Sequence, residues 1–158
     1  MKRARRRVLP TQEQLRVWRN YVETAEAVRL RLAGRLQHET SLSSGDYVVL
    51  LALSEAEQHT LRSSALASQI EWERSRLSHH LGRMEKRGLL RRVSCADDVH
   101  GIDVVMTDAG AETFHAATVP HLRAVREMFV DALTDDQLAH IDEATNALRR
   151  HLALGPHD

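Results

Sequence analysis

The amino-acid sequence predicts a mainly α-helical fold with one small β-hairpin, which places it in the α+β class. Apolar residues recur at steps of three and four along most of the 158 residues, and this period is typical of amphipathic helices. Aromatic residues make up only 4% of the chain, so we expect a core of leucine, valine and alanine. Two short β-prone runs, Leu89–Val93 and Ile102–Met106, flank a polar tip and predict the hairpin. The length fits one domain with an extended helical element.

The first predicted element is a long helix that begins at Pro10-Thr11 and runs for about 28 residues. Its apolar side chains fall on one stripe that includes Leu15, Trp18 and Val22. A stripe of this length suits packing against another chain. A turn and N-cap cluster over Leu42–Asp46 comes next, followed by a short, almost wholly apolar helix up to Glu57 that we expect to be buried on most sides.

Two short helices joined by a tight turn are predicted in the middle of the chain. The first covers Leu61–Ile70, with Ser63 and Ser64 available as N-caps. The turn is Glu71-Trp72, and the second helix ends at Gly88, a natural C-cap. This spacing is the helix-turn-helix pattern, although its turn carries a glutamate where glycine is usual.

The β-hairpin, or wing, and two further helices complete the predicted order. Thr107-Asp108 caps the first of these helices, which Pro120 is expected to kink or divide. The last helix begins at 133–136. Its inward-facing side chains are predicted to be Leu138, Ile141 and Leu148.

Charge is distributed unevenly along a chain whose formal net charge is zero. Residues 60–95 contain eight arginines and lysines against three glutamates, whereas residues 96–158 contain four arginines against twelve acids. A basic segment of this kind predicts an anionic partner. The lone Cys95 excludes an internal disulfide and indicates a reducing compartment. No apolar run approaches the ~20 residues of a membrane span, and no apolar segment follows the basic start, so we expect a cytoplasmic protein without a membrane partner.

The segment WERSRLSHHLGRMEKRGLLRR, residues 72–92, concentrates this basic character on one helix face. Leu77, Leu81 and Met84 recur at helical spacing and can be buried. The opposite stripe contains no acid. Its members are Arg76, His79, Arg83 and Arg87.

Three motifs resemble the MarR family of bacterial transcription factors. LASQIEWERSRLSHHLGRMEKRGLLRR is similar, without a gap, to that family's run through the second helix, turn, recognition helix and first wing strand. MTDAG resembles the Leu-Thr-x-x-Gly that follows the wing, and VPHLRAVREMFVDALTDDQLAHI resembles the last two helices. The resemblance covers roughly residues 13–152. The wing tip departs from the family's Asp-x-Arg, because it reads Asp98-Val99-His100.

The resemblance implies a winged helix-turn-helix reader over residues 41–107 and a helical dimerisation region over residues 11–40 and 108–152. The basic arm, residues 1–10, is either a disordered tail or a minor-groove contact. The implied function is a sequence-specific regulator of transcription, a repressor that binds double-stranded DNA as a homodimer at the bacterial nucleoid. Its operator should be an inverted repeat with half-sites ~34 Å apart. No cofactor is required, but an unidentified small-molecule effector is expected in the crevice between the two regions.

Arg76 and His79 are the favoured base readers, because arginine can bind guanine bidentately. Arg74 and Arg83 are readers or phosphate clamps, and Ser63 and Ser64 are helix caps or phosphate contacts. His80 is expected to be packed inward. The predicted DNA-contacting residues are Arg74, Ser75, Arg76, Ser78, His79 and Arg83 on the recognition helix, Ser63 and Ser64 on the preceding helix, and Arg91, Arg92 and His100 on the wing.

Three alternative interpretations remain open. We find no catalytic constellation and expect no enzyme, and no metal site is assigned. A zinc-responsive regulator of the same fold would use His38, Glu112 and His115 as its candidate ligands. Cys95 on the wing is a candidate redox switch. A winged-helix adaptor that does not bind DNA is supported only by the missing wing arginine and by Glu71.

Overall fold

A computed structural model of the chain describes residues 9–94 and 101–154. Within these residues six α-helices and three β-strands follow one another, with a 3₁₀ turn after the second helix and a π-helical turn after the fifth. In chain order they are α1 (Gln12–Thr40), α2 (Ser44–Glu55), β1 (Thr60–Arg62), α3 (Ser63–Gln69), α4 (Arg74–Lys86), β2 (Leu90–Ser94), β3 (Ile102–Met106), α5 (Asp108–Val125) and α6 (Asp135–His151). The mainly helical fold with a small wing is confirmed. None of the helices in the described ranges is both long and apolar enough to cross a bilayer.

Polar N-caps fix where four of the helices begin. Thr11, Ser43 and Thr134 each form a capping box, in which the cap side chain accepts from a backbone N–H three residues later and that later side chain accepts from the cap N–H. Thr107 caps α5 by accepting from the N–H of Gly110 at 3.0 Å. The predicted beginnings of α1, α5 and α6 are confirmed, and α2 begins within the predicted turn and cap cluster.

The wing hairpin is confirmed, but it belongs to a three-stranded antiparallel sheet with the order β1-β3-β2. The prediction that a helix begins at Leu61 is wrong, since Leu61 pairs with Val104 in the sheet and α3 begins only at Ser63. The edge of β3 provides hydrogen-bond partners for the backbone N–H and C=O groups of this short segment. Gln58 and His59, which adopt the left-handed backbone conformation, separate the segment from α2. Such non-local pairing leaves no periodic signal in three residues.

Two further expectations about helix ends and breaks are corrected. Ser63 and Ser64 are not N-caps, because Arg62 occupies the cap position and no side-chain hydrogen bond caps α3 in the described part of the chain. Helix α5 is not divided at Pro120 but continues to Val125. Proline removes one backbone donor and leaves the carbonyl of Ala116 without its helical partner. Ala116 lies on the exposed side of α5, where water can bind that carbonyl.

The core lies around α2, which is buried on most sides as predicted. Val49, Leu50 and Leu53 are fully buried there, while Val48 and Leu51 each remain 38% exposed. Helices α3 and α4 and the sheet pack against α2, and α5 contributes Phe114 to the same core. The other main members of this core are Leu42, Leu66, Leu77, Leu81, Met84, Leu90 and Val104.

Helices α1 and α6 have almost no buried surface within one chain. Over the whole described length of α1, Leu36 alone is buried. None of residues 135–151, all of them described, is buried in α6. The prediction that Ile141 and Leu148 face inward is therefore wrong for a single chain, since they are 38% and 47% exposed. Within residues 9–94 and 101–154, no other element buries a residue of the apolar stripe of α6.

Candidate nucleic-acid interface

The turn between α3 and α4 sets the angle of the recognition helix. The backbone N–H of Trp72 donates to the carbonyl of Ala67 at 2.9 Å and closes the turn. Glu71 has a φ of +55°, the left-handed conformation that glycine adopts most easily. The glutamate thus occupies the position where the helix-turn-helix pattern usually has glycine, and the turn still forms.

Helix α4 divides into a buried apolar face and an exposed cationic face, as predicted. Leu77, Leu81 and Met84 are at most 1% exposed and anchor the helix on the core. The helix begins at Arg74, and because its buried residues are all apolar, the polar side chains of its first two turns face outward. All six predicted recognition-helix contacts are exposed, namely Arg74, Ser75, Arg76, Ser78, His79 and Arg83.

Arg76 lies against the indole ring of Trp72. Its guanidinium carbon is 4.1 Å from the ring centroid, which is a cation–π contact. The tryptophan belongs to the turn and the arginine to the first turn of α4, so the contact spans the beginning of the recognition helix.

His80 faces inward, as predicted, and its side chain is only 11% exposed. Its Nε2 lies 3.0 Å from a carboxylate oxygen of Asp46, and its Nδ1 lies 2.9 Å from a guanidinium nitrogen of Arg83. Arg87 donates to the other oxygen of Asp46 at 2.7 Å and to the carbonyl of Ser41 at 3.1 Å. Arg87, a member of the predicted outward stripe, is therefore engaged with α2 instead.

Asp46 is the buried centre of this network and was not predicted as a site residue. Burial alone would raise the pKa of Asp46, but hydrogen bonds from His80, Arg87 and Ser43 outweigh that effect, so the pKa of this carboxyl lies well below its usual range. The sequence shows Asp46 as part of an N-cap cluster. Its partners His80 and Arg87 lie 34 and 41 residues further along the chain, and a separation of this length hides the contact between α2 and the C-terminal part of α4.

The two wing arginines differ in their surroundings. Arg91 is exposed on β2. Arg92 donates to Glu85 through Nε at 2.9 Å, Nη2 at 2.7 Å and its backbone N–H at 2.8 Å. These hydrogen bonds lower the pKa of Glu85, and the pair ties β2 to α4. The charge of Arg92 is thus already balanced by a neighbouring carboxylate.

Several predicted features lie outside the described residues. These are the wing tip with His100, the candidate switch Cys95 and residues 1–8 of the basic arm. Ser63 is half-buried and Ser64 exposed at the beginning of α3. The candidate metal ligands divide between α1 (His38) and α5 (Glu112 and His115). In residues 9–94 and 101–154 no three His, Cys, Asp or Glu side chains come close enough together to hold a metal ion.

Comparisons with known proteins agree with this geometry. The profile of the MarR family matches residues 42–99. A search of curated protein sequences finds no match. Among solved structures, AbsC, a MarR family transcriptional regulator from Streptomyces coelicolor, is 33% identical with a TM-score of 0.85, over 93% of this chain and 99% of that chain.

Two structures that contain DNA are also similar. Sco3205, a MarR family transcriptional regulator from Streptomyces coelicolor in complex with DNA, is 32% identical with a TM-score of 0.86, over 96% of this chain and 94% of that chain. A MarR variant from E. coli complexed with operator DNA shares the fold at 18% identity, with a TM-score of 0.70 over 80% of this chain and 91% of that chain.

Proposed function

This chain belongs to the MarR family of DNA-binding transcriptional regulators, and from this premise we propose that it is a homodimeric repressor that binds an inverted-repeat operator in the bacterial cytoplasm. Each reader, residues 41–107, would place α4 in a major groove, and residues 11–40 and 108–152 would form the dimer. A two-fold pair of recognition helices reads two half-sites about one helical turn, ~34 Å, apart.

The observation that supports sequence-specific reading is the exposed cationic face of α4 above a fully buried apolar face. The buried leucines and Met84 fix the helix on the core, so the position of its outward side chains is defined. Arginines at the beginning of a recognition helix can reach guanine O6 and N7, and neighbouring cations can bind phosphates. We propose Arg76 as the principal base reader.

Selection of duplexes from a random pool tests this role of Arg76. We expect the wild-type protein to select an inverted repeat, and Arg76→Ala to lose preference at one base position per half-site by about ten- to a hundredfold. Arg123→Ala removes an exposed arginine from α5, far along the chain from α4, and should select the wild-type sequence. If Arg76→Ala weakens all duplexes equally, Arg76 is a phosphate clamp and not a reader.

The exposed apolar stripes of α1 and α6 support the homodimer. An isolated helix of 17 residues, such as α6, is only marginally stable in water, so a helix without any buried residue needs a partner. On α1 the side chains of Leu15, Trp18 and Val22 are 46%, 62% and 39% exposed along one face. A second copy of the chain would cover both stripes together.

Sedimentation of Trp18→Asp tests the dimer. A carboxylate placed in an apolar interface is left without a partner, so we expect the dimer dissociation constant to rise by about a hundredfold or more. Asn20→Asp adds the same charge on the opposite side of α1 and should leave a wild-type dimer. A wild-type protein that sediments as a monomer at micromolar concentration would contradict the proposal.

We also propose a small-molecule effector site where α5 meets α2. The ring of His121 lies 4.4 Å from that of Tyr47, and Nδ1 of His121 is buried without a hydrogen-bond partner among the described residues. Burial lowers the pKa of His121, so its imidazole is neutral at neutral pH and can accept from a phenolic hydroxyl.

Fluorescence anisotropy with labelled operator DNA tests this site, with salicylate as the probe. We expect millimolar salicylate to release the operator from the wild-type protein. His121→Phe should bind the operator normally but no longer respond. An equal response in both proteins would place the effector elsewhere, and no response in either would exclude this class of effector.

A further inference from the structure

We propose that Trp72 is a specificity-determining residue, because its indole ring holds the guanidinium of Arg76 in the orientation that reads a base. The inference rests on the proposed role of Arg76 as a base reader. In this arrangement Trp72 positions the reader and does not itself contact the DNA bases.

The contact with Trp72 leaves the hydrogen-bonding edge of Arg76 available. A guanidinium is planar, with its N–H donors in the plane and its faces free to stack on aromatic rings. The guanidinium carbon of Arg76 lies over the Trp72 ring, 4.1 Å from its centroid, a distance that suits stacking through the guanidinium face. No hydrogen bond or ion pair of Arg76 is found within the described ranges, so its N–H donors remain available. A bidentate contact with guanine uses that edge alone.

Three other arginines in and beside α4 use donors within the protein. Arg83 donates to His80, and Arg87 donates to Asp46 and Ser41. Arg92 is held by Glu85 through both its backbone and its side chain. Arg76 therefore combines a fixed face with a free edge, and this combination is what a preorganised base reader requires.

Three contacts fix the position of Trp72. Its backbone N–H is bonded to Ala67, and its side chain packs against the core. His80 meets the ring edge-on, with 5.2 Å between centroids and an interplanar angle of 89°. At Gly45 on α2, a Cβ would come within 2.9 Å of the indole and 2.8 Å of His80, so glycine is required for the rings to approach this closely.

A continuous path of contacts thus leads from α2 to the reader. A carboxylate oxygen of Asp46 lies 3.0 Å from the His80 ring, His80 contacts Trp72, and Trp72 contacts the guanidinium of Arg76. Since each of the first three side chains is buried or half-buried, the guanidinium has fewer orientations to lose when it binds a base. The expected result is better discrimination between bases, with no change in attraction to phosphate.

The test compares Trp72→Leu and Trp72→Phe in the full chain after thermal melts confirm that each folds. The readout is the ratio of affinities for the selected duplex and for a duplex changed at the base position that Arg76→Ala relaxes. We expect Trp72→Leu to lower this ratio about two- to fivefold, Trp72→Phe to lower it less, and binding to unrelated duplexes to stay constant. In an Arg76→Ala background, Trp72→Leu should have no further effect on the ratio.

Three results would overturn the inference. The first is an unchanged or higher ratio in Trp72→Leu, since a higher one would mean that the ring sequesters the arginine. The second is an equal loss for every duplex, and the third is a loss that persists in the Arg76→Ala background. If Trp72→Leu does not fold, Trp72→Phe and its double variant with Arg76→Ala carry the same comparison. If Arg76→Ala relaxes no base position, it is the proposed reading role of Arg76 that fails.

Discussion

Replacing Gly110 with alanine should destabilise the protein by about 3 kcal/mol, because the added methyl group has no space. A Cβ at this position would overlap the backbone carbonyl oxygen of Leu89 and lie 2.9 Å from its carbonyl carbon and 3.1 Å from Cγ of Met106. A backbone carbonyl cannot rotate away as a flexible side chain can. Helix α5 would have to move away from Leu89, which lies between α4 and β2. Urea unfolding measured for the wild-type and variant proteins checks the expected loss.

Gly34→Ala is the matched control for this substitution. Gly34 lies inside α1, and among the described residues no atom outside the local backbone lies within 4 Å of its Cβ position. The same added methyl should therefore leave the stability unchanged or increase it by about 0.5–1 kcal/mol, as expected for alanine in place of glycine within a helix. Equal stability of Gly110→Ala and the wild type would show that α5 does not pack on Leu89 as described.

Asp46→Asn should cost about 2–3 kcal/mol of stability at neutral pH. The carboxylate accepts hydrogen bonds from Arg87 and from the backbone N–H of Ser43, and it lies 3.0 Å from Nε2 of His80, while it is almost fully buried. An amide of the same shape loses the charge and turns its NH₂ group toward one of those donors. The loss is smaller than for a fully buried ion pair, because the side chain of Arg87 is 42% exposed and keeps part of its hydration.

This cost should disappear in acid. The pKa of Asp46 is lower in the folded protein than the 3.8 of the unfolded chain, so its stabilisation is complete above that value and is lost as the pH falls below it. The stabilities of the wild type and Asp46→Asn should therefore converge below about pH 4. Asp131→Asn, which alters an exposed pair with Arg126, should change stability by less than about 0.5 kcal/mol. A difference for Asp46→Asn that is constant down to pH 2 would contradict the assignment.

The sequence predicts those parts of the fold that rest on local signals. Capping boxes and helical periodicity give the helix starts, because the relevant side chains lie three or four residues apart. The outward face of α4 follows in the same way from the spacing of Leu77, Leu81 and Met84. MTDAG is a family motif whose physical reason appears only in the structure, where Gly110 makes room for the carbonyl of Leu89.

Non-local relations are what the sequence leaves out. Strand β1 forms because Thr60 pairs with Val105, and a three-residue segment carries no sequence pattern that indicates a pairing partner 45 positions away. Arg87 and Arg92 look like equal members of a cationic surface, yet carboxylates on α2 and on α4 engage them. Ion pairs of this kind decide which arginines remain available to DNA, and they cannot be derived from the amino-acid composition.

The junction between the recognition helix and α5 has a mechanical consequence. Thr107 caps α5, donates its hydroxyl to the carbonyl of Gly88 at 2.6 Å and donates its backbone N–H to that of Leu89 at 3.2 Å. The segment after α4 and the beginning of α5 are thereby tied together, so a displacement of α5 at this point moves the end of α4 with it. In a two-fold assembly, the same tilt of α5 in each chain would move both recognition helices, so a modest rotation would shorten or lengthen the distance between them.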